Sequence, residues 1–218
     1  WPGHAPRRSP FRPLPENLMQ LPFQMKDEEK DKPAPAEAPR LEEQLIFKSR
    51  YIMLFGEIND KLAHAVCRRL LALSADSDAP ITMLISSPGG HVESGDAIHD
   101  MIGFVRAPVV TVGTGWVASA AVHIFLAPPP ERRLCLPNTR FMIHQPAGGA
   151  GGRAADIAIQ AREILKIRER IAAVIAERTG QPLEKVRADI DRDYWMSAEE
   201  SIEYGLVSRI VHRQSDLG

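Results

Sequence analysis

The sequence predicts an α/β fold with a largely parallel sheet. Three observations carry this. From Leu41 onward, short apolar runs of strand length alternate with amphipathic helical segments. Glycine and proline sit at the changeovers, at Gly56, at Pro88-Gly89-Gly90, and again at Gly113 and Gly115. The length of 218 residues, 44% of them hydrophobic and 25% charged, is enough for one domain with a substantial core plus an appendage.

The elements follow in order. Tyr51–Phe55 reads as a strand closed by Gly56, and residues 60–73 as a helix with Leu62, Val66, Leu70 and Leu73 on one face. Ile81–Ile85 is a buried strand, turned by Ser86-Ser87-Pro88-Gly89-Gly90 into a helix over residues 94–105. Val109–Val112 is the next strand, followed through glycines by a short buried helix over residues 118–126. Leu134–Leu136 and Phe141–Ile143 are short strands. A Gly-rich stretch over residues 147–153 leads into one long helix over residues 154–178, which Gly180 ends before Pro182 opens another. No internal repeat is present.

Residues 1–40 are of another kind. They hold nine of the 18 prolines and the charged run Lys26–Lys32, and are expected to form a flexible Pro-rich N-terminal arm. The domain proper is expected over residues 41–212, with a tail at 213–218. A net charge of −1 gives no electrostatic case for nucleic acid. The longest apolar stretch, Trp116–Ala127, is broken by Ser119 and His123 and falls short of the roughly 18 apolar residues of a membrane span. Cys67 and Cys135 both sit in apolar surroundings and read as free buried thiols, which fits a reducing, cytoplasmic compartment. The start of the chain has no apolar h-region of a secretory signal.

Three motifs carry chemistry. Ser119 opens the short helix after the Val109–Val112 strand, where helix N–H groups suit a developing oxyanion. Taken alone, it reads as an N-cap or a small packing residue among alanines sooner than as a nucleophile. His144 follows 25 residues later at the end of an apolar strand, in Met142-Ile143-His144-Gln145-Pro146. Asp193, in Arg192-Asp193-Tyr194-Trp195-Met196-Ser197, supplies an acid. A serine hydroxyl needs a base within hydrogen-bond reach and the base needs an orienting acid, so Ser, His and Asp together point to covalent hydrolysis of a carbonyl substrate. Beside Ser119 and His144, Gly89-Gly90 is the remaining motif of the three, where the lack of Cβ lets backbone N–H groups face a ligand. His123, within the short helix, reads as a packing residue, and no histidine pair has metal spacing. Gly113-x-Gly115-x-x-Ala118 imitates a dinucleotide fingerprint, but the acidic residue expected about 20 positions on is missing from Arg133–Asn138.

Ser86-Ser87-Pro88-Gly89-Gly90, Ala118-Ser119-Ala120, Met142–Pro146 and the run from Arg192-Asp193 through Met196-Ser197-Ala198 to Tyr204-Gly205-Leu206-Val207 together resemble the Clp protease proteolytic subunit family over about residues 45–212. The resemblance implies a crotonase-like spiral of βαβ units with a protruding strand–helix handle. It implies a serine endopeptidase cutting unfolded or extended polypeptides, with Ser119 as nucleophile, His144 as base, Asp193 as orienting acid and the N–H groups of Gly90 and Ala120 as oxyanion hole. Val92 would line the pocket for the residue before the cut. Pro146, Ala147 and Gly148, in the Gly-rich handle strand, would pair with substrate. Arg192 would lie at an inter-ring contact between two stacked heptameric rings, and an AAA+ unfoldase would be the partner. No metal and no organic cofactor is implied.

The chain departs from the family pattern at several points. Ala118-Ser119-Ala120-Ala121 replaces the usual small-Ser-Met-Gly, and Phe125–Pro130 replaces a turn that usually contains glycine. The strand before the Pro-Gly-Gly turn carries Thr82 and Leu84 where aromatics are usual, although Phe104 matches another aromatic of the unfoldase-loop pocket. Residues 1–44 do not resemble the family's axial gate. Two alternatives therefore stay open: a Clp-like paralogue acting without an unfoldase, and a non-peptidase protein of the same fold that binds acyl-CoA thioesters.

Overall fold

The computed structural model describes residues 41–149 and 151–217, which belong to one compact unit, Pro39–Gly218. The expected arm over residues 1–40, Ala150 of the handle segment and the last residue of the tail lie outside the described residues. No described helix is long and apolar enough to cross a membrane.

Leu41–Lys48 forms a first helix, α1, and Tyr51–Phe55 the first strand, β1. The next helix, α2 (Asp60–Asp76), starts where the Asn59 side chain accepts a hydrogen bond from Leu62 N at 2.9 Å. Its period of 3.6 puts Ala63, Val66, Leu70 and Leu73 on the buried face. Strand β2 (Ile81–Ser87) has one face fully buried and the other half-buried, as expected for a strand inside a parallel sheet. Helix α3 (Val92–Phe104) follows, then strand β3 (Val109–Ala118), helix α4 (Ala120–Phe125) and strands β4 (Arg133–Cys135) and β5 (Arg140–Ile143). Helix α5 (Ala154–Thr179) ends at Gly180, which adopts the left-handed conformation with φ +75°. Helix α6 (Leu183–Asp189), strand β6 (Tyr194–Met196), helix α7 (Ala198–Tyr204) and strand β7 (Arg209–Ile210) complete the chain.

The sheet runs β1-β2-β3-β4-β7, with all these neighbours parallel. β3 is the branch point. Its first half pairs with β4, Thr111 opposite Arg133, and its second half pairs with β5, Trp116 opposite Arg140. β5 in turn pairs antiparallel with β6. The expected strand Val109–Val112 therefore continues to Ala118, through both glycines. At Gly113 a Cβ would stand 3.0 Å from Phe141 and 3.1 Å from Thr139, tight enough that these side chains would have to give way. The dinucleotide fingerprint is thereby excluded, since its glycines lie inside a strand and not in a phosphate-cradling loop.

Two other expectations change. The short helix begins at Ala120, not at 118, because residues up to Ala118 belong to β3 and Ser119 is a turn. The described residues of 145–153 carry no strand, since an extended Gly-rich segment stays unpaired until another backbone lies beside it. It does lean on the long helix: a Cβ on Gly148 would come within 3.0 Å of Ile164 Cδ1.

Candidate active site

Sheet register brings the three expected residues together. Ala118, the last residue of β3, pairs with Met142 of β5, and Ser119 N donates to Met142 O at 2.8 Å. Ile143 pairs with Tyr194 across the antiparallel β5–β6 ladder, so the next residues outward, His144 and Asp193, face each other. His144 Nε2 lies 2.7 Å from Ser119 Oγ, and His144 Nδ1 lies 3.0 Å from Asp193 Oδ1. Residues 25 and 49 positions apart thus form one hydrogen-bonded chain at the ends of three strands. The Asp193 loop is tied down beside it: Gln145 Nε2 donates to Asp191 O at 2.8 Å and Gln145 N donates to Ile190 O.

Ser119 stands at φ 57°, ψ −125°, a conformation that non-glycine residues rarely adopt. The turn aims its hydroxyl away from the strand, toward His144. The Pro88-Gly89-Gly90 turn packs directly against it. Gly89 (φ +95°) has room for no side chain, since a Cβ would lie 2.6 Å from Ser119 Cβ and 2.8 Å from Ala118 O. The Gly90 N–H is left out of the bridge to Ile58, whose bonds run from Ile58 N to Gly89 O and from His91 N to Ile58 O. The N–H of Ala120 lies in the first turn of α4, where a helix leaves its donors without intrahelical partners.

A narrow pocket opens beside Ser119, walled by Val92, Ala120, Ile143, Ile171 and Ile175, with Pro146 at its edge. Pro146, Ala147 and Gly148 line an adjoining cleft together with Ile164, Asp191, Arg192 and Asp193. The Arg192 side chain is exposed and reaches only Asp191 O, at 3.4 Å, among the described residues.

Sequence reasoning missed one wall of that pocket. His123, read as a packing residue, is buried yet lines the pocket one helical turn from Ser119. Its Nε2 is 3.0 Å from Asp96 Oδ1, and Asp96 also receives Arg170 Nη2 at 2.6 Å. The His99 ring stacks on it with centroids 4.2 Å apart. Burial, and then the neighbouring His99, push the His123 pKa down to about 4, against the opposing pull of Asp96. The spacing of four from Ser119 was the available signal; nothing in one sequence placed Asp96 and Arg170 beside it.

Residues 39–214 match the family described as Clp protease. The chain is 57% identical over 194 residues to the ATP-dependent Clp protease proteolytic subunit 3 of Rhizobium etli, covering 88% of this chain and 100% of that protein. It is 60% identical over 172 residues to the protein of the same name from Rhizobium johnstonii, covering 79% and 89%. Among solved structures, ClpP1 from Listeria monocytogenes superposes with a TM-score of 0.73 at 47% identity, covering 80% of this chain and 98% of that one. With the family match spanning most of the domain and the relatives this close, the chain belongs to the Clp protease family.

Proposed function

We propose that this chain is a serine endopeptidase, the proteolytic subunit of an ATP-dependent Clp protease, cleaving extended polypeptides to short peptides. The observation that carries the mechanism is the Ser119–His144–Asp193 hydrogen-bond chain, with Ser119 held in a strained turn between a strand and a helix. His144 Nε2 takes the proton of Ser119 Oγ as the oxygen attacks the peptide carbonyl. Asp193 holds Nδ1–H and stabilises the imidazolium. The carbonyl oxygen, now an oxyanion, accepts hydrogen bonds from the N–H groups of Gly90 and Ala120. His144 then gives its proton to the leaving amine, and an acyl-enzyme remains. Water, deprotonated by His144, attacks the acyl-enzyme, releasing the new carboxyl end and restoring Ser119.

The side chain preceding the cut enters the pocket walled by Val92, and the Gly-rich segment Pro146-Ala147-Gly148 pairs with the extended substrate as a strand. Its lack of a strand partner among the described residues supports that role. The subunit works in two stacked heptameric rings in the cytoplasm, with Arg192 at the ring–ring contact, and receives chains from an AAA+ unfoldase. The names of its relatives support the ATP dependence.

The test is hydrolysis of a fluorogenic peptide by the wild type and by Ser119→Ala. Loss of at least about a thousandfold in the variant, with Tm unchanged, is expected; full activity in the variant overturns the reading. Adding an AAA+ Clp unfoldase, ATP and a tagged folded substrate is expected to produce degradation. Failure there, with peptide cleavage intact, favours a paralogue that acts without an unfoldase.

A further inference from the structure

The turn that carries the Gly90 N–H has no side chain of its own to hold it. Gly89 and Gly90 stand at φ +95° and +146°. The first side chain after them is that of His91, and the next, Val92, walls the pocket beside Ser119. Backbone bonds tie the turn to Ile58: Ile58 N donates to Gly89 O at 2.8 Å, and His91 N donates to Ile58 O at 2.9 Å.

The His91 side chain adds a second tie to the same stretch of chain. Its Nδ1 lies 2.8 Å from Ser94 Oγ, and Ser94 Oγ donates to Asp60 Oδ1 at 2.6 Å. A carboxylate only accepts, so the hydroxyl proton goes to Asp60 and the Ser94 oxygen accepts from His91 Nδ1–H. Asp60 opens α2 two residues after Ile58, so backbone and side-chain ties end on one short segment. On the other side of the ring, Nε2 lies 3.1 Å from Glu93 Oε2. Ser94 is buried, whereas His91 is exposed. Helix capping does not account for the arrangement, since His91, the N-cap of α3, makes no side-chain bond to the N–H groups of that helix.

We propose that His91 is a positioning residue for the oxyanion hole. Latched through Ser94 to Asp60, it fixes the turn so that the Gly90 N–H stays aimed at the carbonyl oxygen as charge develops there. This rests on the serine peptidase reading and deepens it. His91 acts through Gly90, not by contact with the reacting atoms. A bond to the oxyanion strengthens in the transition state, so losing its aim lowers kcat and leaves KM nearly unchanged.

The experiment measures kcat and KM on one fluorogenic peptide, and Tm, for the assembled wild type, His91→Ala, His91→Asn, Ser94→Ala and the double variant His91→Ala with Ser94→Ala. Asn is the conservative replacement, since its amide nitrogen can donate from near the place of Nδ1. His91→Ala is expected to lower kcat by about tenfold, a part of the hundredfold or more that a lost oxyanion donor costs. KM should stay within about twofold, and Tm within about 2 °C because the side chain is exposed. His91→Asn should recover most of kcat. Ser94→Ala should lower kcat as His91→Ala does, and the double variant should be no slower than the slower single one, because both cut the same link. An unchanged kcat in His91→Ala, a loss carried by KM alone, a loss as large in His91→Asn, or additive losses in the double variant each overturns the proposal and leaves the peptidase intact. An assembled wild type that does not cut the peptide overturns the peptidase reading and this proposal with it.

Discussion

At Gly90 a side chain has nowhere to go: φ is +146°, and a Cβ would collide with Ile58 O. Gly90→Ala is therefore expected to displace the Pro-Gly-Gly turn and its N–H together. Peptidase activity should fall by about a hundredfold or more, as when one oxyanion donor is lost, and parallel kcat/KM and Tm measurements should show the activity loss outrunning any loss of stability. His123 gives a different kind of prediction. Its pKa falls from 6.5 to about 4 on folding, so the folded protein refuses a proton that the unfolded chain accepts. Below about 6.5 the unfolded state gains that proton and stability drops, levelling off once the pH passes below about 4. This part of the acid sensitivity is worth up to about 3 kcal/mol. Urea midpoints at pH 7, 5.5 and 4.5 should decline less steeply in His123→Leu than in the wild type. Ser119 and His144 were legible at a helix start and a strand end, and Asp193 only through the resemblance of the run from Arg192 to Val207 to the family. His123 was not, since its meaning lies in Asp96, His99 and Arg170, which only packing of three helices brings together.

Element by element, legibility followed length. Helix α5, with its left-handed Gly180 cap, could be read at both ends to within a residue or so, because 26 residues of helical periodicity leave little choice. β6 and β7, of three and two residues, have no period to read. β3 was half read: Val109–Val112 has the apolar run, but Gly113–Trp116 has the composition of a turn, and pairing with β2 and β5 overrides it. α7 shows why a short helix forms at all. Ser197 Oγ accepts from Glu200 N at 3.2 Å, Glu200 Oε2 accepts from Ser197 N at 2.7 Å, and Gly205 ends the helix in the left-handed conformation. Because Ser197 directly follows β6, this box also anchors the strand that leads out of Asp193. Ser197→Ala should cost about 1 kcal/mol, a Tm drop of about 2–4 °C for a chain of this size, and Ser197→Asp should restore most of it. A thermal melt of the three proteins decides this, and equal melting temperatures for all three would mean the cap does nothing.

At the scale of the whole molecule, α5 is a helix with two different halves. Ile171 and Ile175 pack into the core and wall the pocket beside Ser119. Toward its N-terminus the same helix leaves Ile157 41%, Ile159 50% and Leu165 57% exposed, with Ile164 and Ile167 half-buried. A single chain gains nothing from leaving these side chains in water, and several large apolar side chains exposed along one helix point to an interface. The described residues of the neighbouring Gly-rich segment, a strand in expectation, carry no strand. The sequence showed isoleucines at helical spacing here, but helical spacing alone does not distinguish burial in the chain's own core from burial against another subunit; the division between the two halves of α5 does. Ile157→Glu with Leu165→Glu should therefore leave the subunit's Tm within about 2 °C of the wild type, since both positions are already in solvent, while shifting sedimentation from a multi-subunit assembly to smaller species. Peptidase activity should fall with the assembly. Arg192 is proposed to lie at the ring–ring contact, and its neighbour Asp193, whose side chain is 61% exposed in the single chain, lies 3.0 Å from His144 Nδ1 and is proposed to orient it. Assembly unchanged in the double variant would exclude this half of α5 as the contact. Assembly lost with activity fully retained would show that the hydrogen-bond chain is rigid enough without its partners.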